Sequence, residues 1–531
     1  MTLDSRDREP RAGEGKIWLR RALLVICGLF VFRLIYAAIV PVDLVHDEAY
    51  YWDWSRQLDW GYYSKPPMVA WLIALSTSLG GSSAFFVRLP AILLSTGGLM
   101  MMYALGARIY GPKAGFWAML LAAATPGNAA LGLLMTIDAP LLFWWCTTLY
   151  CCWRFLERKP DRVVWLLLAT LATGLGVLSK QTMMGFIPLI GAFLLTSRED
   201  RRELVRPGFW TWAIGSLLFL APVLWWNSQH GWITAQHTSS HFAGQSVDLL
   251  KRLSRSGEFL AAQFGVVSPV TCALWAAVGF LSLRAFPKLG RRERFLLCFS
   301  ALPMLGVLCL SLVQRVQPNW PAAFYPAGVV LLVGWAFEKA EGLSPLRNGQ
   351  RALRRAVWVG AAFAVATYVL PFGFGLEGTK LDPAIRLRGW QQLGIEVGAR
   401  FDEMPRSERT FVVVAVGRAA TSALAFYMPQ QPRTYHWNGT GNINSQYDVW
   451  GPPEGKEGWD AMIVTRDDGE PPEALRAAFR NVEPEATVCV PIGPDRRHTY
   501  RLWRGVGFRQ WPHPQEETPA TARTDEPRRM Y

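Results

Sequence analysis

Between Ala114 and Trp153 the chain carries one charged residue, Asp138. A stretch that apolar has few ways to fold. Roughly 18 to 20 uncharged residues mark a helix that crosses a bilayer. Runs of this kind recur at 22–40, 84–107, 114–137, 139–156, 163–179, 181–197, 209–227, 259–283, 295–313, 321–338 and 356–376. Half of all residues, 51%, are hydrophobic and 25 are tryptophan, which excludes an ordinary soluble domain of this size. The expected fold class is a polytopic α-helical membrane protein of about eleven spans. The first run is read as a span rather than a cleaved leader, because it contains Arg33 and lacks a small-x-small site before Pro41.

The net charge of +14 invites a nucleic-acid reading. The excess Lys and Arg instead fall in short loops between the runs, as membrane topology requires, so no nucleic-acid partner is expected. The segment 66–80 is apolar but short, and it is expected to lie along the interface or re-enter. With the basic stretch 6–21 in the cytoplasm and 66–80 not crossing, the basic loops 108–113, 154–162, 198–206, 288–294 and 339–355 all fall inside. If 66–80 crossed, every one would flip. Lys251, Arg252 and Arg255 are the exception on the outer side, and an interfacial helix near lipid phosphates is expected there. Seven of the eight cysteines lie in apolar runs, with neither metal-ligand nor disulfide spacing.

This sorting used loop charge alone, yet it collects the unusual polar groups on one outer face. They are Asp47 and Glu48, Lys65, Asp138, Lys180 with Gln181, the histidines His230, His237 and His241, and the stretch from Gln314 to Asn319. Charged groups at a membrane surface in this arrangement point to an active site. After about residue 377 the apolar runs shorten to Phe411–Val416, Ala461–Thr465 and Val488–Ile492, separated by Pro, Gly and charge. That predicts a small outer α/β domain, with strand, turn and helix over 411–427. The expected division is a cytoplasmic N-terminus over 1–16, a membrane catalytic domain over 17–376, a periplasmic α/β domain over 377–510 and a disordered tail over 511–531.

Adjacent carboxylates at Asp47 and Glu48 suit proton removal from a hydroxyl acceptor, one acting as base and its neighbour orienting it. The structural alternative is a turn or helix cap. Asp138 precedes Pro140, so it also reads as a cap. Lys65 and Lys180 suit a phosphate as compact cations, against the alternative of snorkelling. Pro66 and Pro67 stiffen the backbone after Lys65. His237 and His241 are four apart, and with Asp47 or Asp138 they offer a divalent metal set, although ordinary loop histidines are commoner. The aromatics around Tyr50 and Tyr63 fit an interfacial belt or a surface for stacking sugar rings.

The motifs Asp47-Glu48-Ala49-Tyr50-Tyr51-Trp52, Gly61-Tyr62-Tyr63-Ser64-Lys65-Pro66-Pro67, Arg88-Leu89-Pro90, Thr136-Ile137-Asp138-Ala139-Pro140 and Gly174 to Lys180 follow one another in an order that resembles the GT-C glycosyltransferases. The branch is the one containing protein O-mannosyltransferases and the lipid A aminoarabinose transferase, and the similarity covers about 17–340. The blocks Ala423–Tyr427 and Asn444–Trp450 look like those of bacterial members. The resemblance implies a polyprenyl-phosphate sugar donor and inverting transfer at the periplasmic face of a bacterial inner membrane. The acceptor would be lipid A, core oligosaccharide or another envelope glycan. It implies Asp47 as general base with Glu48 beside it, Asp138 as the second acid and Lys65 on the donor phosphate. Lys180, Tyr50, Tyr63, Gln181, His237 and Asn319 complete the expected substrate contacts. Where the aminoarabinose transferase has a metal-binding acid before that lysine, this chain has Ser64, so a metal site loses that ligand. The competing readings are a transporter or flippase of a lipid-linked sugar, and a protein O-glycosyltransferase of the same superfamily.

Overall fold

The computed structural model describes residues 13–240, 248–344, 348–373, 375–380, 382, 384–467, 469–494 and 496–512. His241, much of the basic 6–21 stretch and residues 513–531 of the expected tail lie outside the described residues. The chain forms two compact units. One comprises Met1–Val40 with Leu58–Leu370, the other Pro41–Gln57 with Pro371–Tyr531. The first two helices therefore separate: α1 (Glu14–Ile39) lies in the first unit and α2 (His46–Ser55) in the second.

Among its described residues the first unit contains helices and no strand. It continues with α3 (Met68–Gly80), α4 (Ala84–Tyr110), α5 (Pro112–Ala123), α6 (Pro126–Leu131), α7 (Asp138–Leu156), α8 (Arg162–Ser179) and α9 (Phe186–Thr196). Then come α10 (Pro207–Leu217), α11 (Ala221–Gln229), α12 (Ile233–Ser240), α13 (Leu249–Val267), α14 (Pro269–Arg284), α15 (Arg291–Cys298), α16 (Ala301–Val313), α17 (Tyr325–Ala336) and α18 (Gly349–Val369). Among the described residues six helical stretches are long and apolar enough to cross a membrane: α1, α4, α8, Pro207–Gln229, Arg291–Val313 and Gly349–Phe372. Counting the bent pair α13–α14 makes seven. At thirteen residues, α3 is too short to cross alone.

Not every expected span is one continuous helix. The run 114–137 breaks after Ala123: Thr125 caps α6 by accepting from the Asn128 N–H, with Pro126 next in the helix's first turn. The run 259–283 breaks at Ser268, where α13 and α14 meet at 113°. Ser268 has φ 73° and ψ 151° and is followed by Pro269, whose ring cannot continue the preceding helix. The core is a continuous cluster that includes Trp145, Phe186, Phe193, Phe295, Phe299 and Val330.

In the second unit α2 is joined by α19 (Trp390–Asp402), α20 (Arg418–Tyr427), α21 (Gln446–Trp450) and α22 (Glu473–Ala477). Five strands form one sheet in the order β2-β1-β3-β5-β4: β1 (Thr410–Val414), β2 (Thr434–His436), β3 (Asp460–Arg466), β4 (Phe479–Gly493) and β5 (Arg496–Phe508). β1 pairs parallel with β2 and β3, and β5 runs antiparallel to β3 and β4. Val412 and Val414 point into one core, with Leu393 and Leu424. Phe411 and Val413 point into the other, with Trp503 and Phe508. Burial on both faces explains why this strand reads as an unbroken apolar run.

Candidate functional site

The residues singled out in the sequence divide between the two units. In the second, Asp47 and Glu48 occupy the first turn of α2 rather than a loop, where the helix dipole favours negative charge. Their environments differ sharply. Glu48 is 0% exposed and its Oε2 accepts the Val45 N–H at 3.0 Å, closing the helix start. The Asp47 side chain is 36% exposed, and its Oδ1 accepts from Arg418 Nη2 at 3.1 Å. The third acid of this helix, Asp53, is buried and accepts from the Tyr447 hydroxyl at 2.9 Å and from Arg56 at 3.3 Å. Burial lifts its carboxyl from 3.8 to about 6. His46 lies 3.8 Å from Asp47. Burial, with Arg418 and Arg386 nearby, outweighs the pull of Asp47 and holds its imidazole below the usual range. At neutral pH Arg418, not His46, is therefore the cation beside Asp47.

Arg418 begins α20, directly after Gly417, whose φ of 136° makes the turn out of β1. Its guanidinium lies 4.5 Å from the ring centroid of Tyr50, and the Tyr50 hydroxyl accepts the Gln446 N–H. Tyr50 is buried, so it supports Arg418 from beneath and offers no open stacking face. Sequence reasoning placed a turn at Gly417-Arg418 but gave Arg418 no role. Nothing local marks it, because its partner lies 371 residues away.

In the first unit α7 and α8 form a hairpin whose ends carry Asp138 and Lys180. Lys180 Nζ donates to Asp138 Oδ1 at 2.7 Å, and Asn319 Nδ2 donates to Asp138 Oδ2 at 2.7 Å. Asp138 is 2% exposed and Lys180 9%. Asp138 sits at the N-terminus of α7 and Lys180 just past the C-terminus of α8, so each charge also meets the favourable end of a helix dipole. Gln181 follows, half-buried, at the start of a 3₁₀ turn.

Lys65 is half-buried and its carbonyl accepts the Tyr62 N–H at 3.2 Å. That turn is pinned from both sides. Thr234 Oγ1 donates to the Tyr62 carbonyl at 2.9 Å, and Trp226 Nε1 donates to Asp59 Oδ2 at 2.6 Å. His237 Nδ1 lies 3.1 Å from the Tyr63 hydroxyl, with the rings 4.7 Å apart. His230 stacks on Trp226 at 4.0 Å. Among the described residues no three His, Cys, Asp or Glu side chains gather to hold a metal ion. Asp138 gives both oxygens to Lys180 and Asn319, and His237 pairs with Tyr63. Of the metal donors expected at Asp47, Asp138, His237 and His241, Asp47 pairs with Arg418, and His241 lies outside the described residues.

Residues 64–226 match the family model described as dolichyl-phosphate-mannose-protein mannosyltransferase. Over 319 residues the chain is 32% identical to the lipid A galacturonosyltransferase RgtD of Rhizobium johnstonii, covering 59% of this chain and 65% of that protein. The chain thus spans just under two thirds of the length of this curated relative. ArnT from Cupriavidus metallidurans superposes with a TM-score of 0.59 over 90% of this chain and 97% of its own, at 16% identity. The oligosaccharyltransferase of Archaeoglobus fulgidus gives a TM-score of 0.51 over 86% and 70% of the two chains, at 14% identity. These structures share the fold. The resemblance to the GT-C membrane glycosyltransferases therefore holds, in sequence motifs and in architecture. Its curated relative is named for transfer to lipid A.

Proposed function

We propose that this protein is an inverting glycosyltransferase of the bacterial inner membrane, crossing the bilayer about eleven times and working at the periplasmic face. It moves a sugar from a polyprenyl-phosphate donor to lipid A, core oligosaccharide or another envelope acceptor. Two comparisons support this reading. One is the galacturonosyltransferase relative, whose name favours a uronic acid among the possible sugars. The other is the structure of ArnT bound to undecaprenyl phosphate, which superposes with a TM-score of 0.59.

The observation that carries the assignment is the contrast along α2. Of its three acids only Asp47 is open to solvent, and only an accessible carboxylate can take a proton from an acceptor hydroxyl. Asp47 is the general base in this reading. Arg418 fixes the direction of its carboxylate, and Glu48 holds the start of the helix. Lys65 neutralises the donor phosphate as it departs, opposite the attacking oxygen, which lowers the barrier to leaving. Asp138 and Asn319 hold Lys180 in a fixed place for the same task.

The test is the mass of lipid A and core oligosaccharide extracted from a host lacking this protein and supplied with the intact chain or with Asp47→Asn. A sugar-sized increment is expected with the intact chain and at least about a hundredfold less with the variant. Full transfer by Asp47→Asn would remove the base assignment. No increment from the intact chain would favour a protein acceptor or a transporter.

A further inference from the structure

The second unit carries an open cleft of about 600 Å³ that the proposed chemistry does not use. Sites for small molecules are of roughly this size, about 300–1,000 Å³. The cleft is lined by the chain ahead of α2, by Glu377, by the start of α19 and by the end of β4. These stretches are held together tightly. A Cβ on Gly493, the last residue of β4, would stand 2.2 Å from the Glu377 carbonyl oxygen, so only glycine lets the two meet. Asp43 Oδ2 accepts the Trp390 and Gln391 N–H groups at 2.7 and 3.3 Å, which caps α19 and ties it to the chain ahead of α2.

The polar groups of the cleft select among ligands. A phosphate would need free cations, but Arg388 gives Nε to Asp382 Oδ2 at 2.8 Å and Nη2 to the Pro371 carbonyl at 3.0 Å. A divalent ion would need several acid oxygens, and with Asp43 committed to α19 the cleft has only Glu377 left. A lipid chain would bury these polar groups without partners. What the cleft offers is the half-buried Glu377 carboxylate, which has no ion pair among the described residues, and the exposed amide of Gln391. Beside them lie the exposed rings of Pro41, Pro491 and Pro494. Hydrogen-bond acceptors, donors and an apolar surface in one cleft match the hydroxyls and C–H faces of a sugar. Asp43 precedes Asp47 by four residues, which span at most about 14 Å. A glycan with one hydroxyl at Asp47 is therefore close enough for its neighbouring sugars to enter the cleft.

We propose that this cleft is a saccharide-binding subsite for the glycan part of the acceptor, with Glu377 accepting from sugar hydroxyls and the Gln391 amide bonding to a neighbouring one. That the sugar belongs to the acceptor rests on the reading of Asp47 as the base. The test is calorimetric titration of the full chain in neutral detergent with two probes free of acyl chains. One is the deacylated lipid A disaccharide, the other the core oligosaccharide released from lipopolysaccharide by mild acid. At least one is expected to bind the intact chain, and the one that binds tells whether the cleft reads lipid A or core. Glu377→Gln/Gln391→Ala is expected to weaken that binding at least about tenfold, while Asp47→Asn binds as the intact chain does. Should the double variant fail to fold, Gln391→Ala alone changes one exposed side chain and is expected to weaken binding about threefold. Failure of both probes to bind the intact chain overturns the proposal, as does undiminished binding in the variants. Loss of binding in Asp47→Asn would put the sugar at the base and overturn it too. Binding that depends on Glu377 and Gln391, in a chain that transfers no sugar to envelope glycans, would keep the subsite and remove the reading of Asp47.

Discussion

Asp138 and Lys180 form a buried pair whose worth depends on both members being present. Each charge alone in that environment is costly, because desolvation is no longer repaid by its partner. Lys180→Met is expected to destabilise the first unit by about 3–5 kcal/mol, read as a lower thermal midpoint in detergent. Asp138→Asn combined with Lys180→Met removes both charges and is expected to restore most of that stability. If the pair only holds the α7–α8 hairpin together, activity returns with stability. If Lys180 serves the phosphate, the double variant is stable and inactive. The same logic separates the two acids at the start of α2. Glu48→Gln should act mainly on stability, through the Val45 N–H, whereas Asp47→Asn acts on transfer.

At the scale of the element, two features of helix geometry carry consequences. Ser268 holds φ 73° and ψ 151°, a region that glycine occupies readily and other residues do not. Its hydroxyl donates to Thr271 Oγ1 at 3.0 Å, which offsets part of the strain. Ser268→Val is expected to lower stability by about 2–3 kcal/mol, since a β-branched residue resists this conformation, whereas Ser268→Gly should be within about 1 kcal/mol of the parent. Thermal unfolding of the purified variants checks the order. The second feature is Asp53, which ties α2 to α21 through Tyr447. Its carboxyl rises from 3.8 to about 6 in the fold, so the folded state keeps a proton that the unfolded chain releases first. The stabilisation from that proton is complete below pH ~4 and is lost as pH rises towards ~6. Asp53→Asn should flatten the difference, gaining roughly 2 kcal/mol on the parent between pH 4 and pH 7. Unfolding midpoints measured in parallel at the two pH values test it.

At the scale of the whole molecule, the second unit is discontinuous, because Pro41–Gln57 belongs with Pro371–Tyr531. Helix α2 buries Tyr50, Tyr51, Trp52 and Trp54, and the ring of Trp52 meets Phe426 of α20 edge-on at 4.9 Å. A fragment of residues 371–512 lacks that helix and would expose the surface it covers. Such a fragment is expected to be poorly soluble or loosely packed, and to gain protection from hydrogen exchange when a peptide of residues 41–57 is added. A fragment that is fully protected without the peptide would show that α2 is a passenger on this unit.

Membrane class, the apolar runs, the strand at Phe411 and the identity of the polar candidates were legible in the sequence. Each follows from local composition and period, which a chain carries in its own order. So was the resemblance to the GT-C enzymes, since motif order survives without knowledge of contacts. The breaks at Thr125 and Ser268 were marked by Pro126 and Pro269, yet hydropathy alone smoothed over them. What only the tertiary structure decided was partnership. Asp138 meets Lys180 and Asn319 across separations of 42 and 181 residues, and Asp47 meets Arg418 across 371. Glu48 and Asp47 are neighbours in sequence, yet one is sealed and the other open, because successive residues on a helix point in directions about 100° apart. Burial and pairing are properties of the packed whole, and a linear pattern of residue types does not contain them.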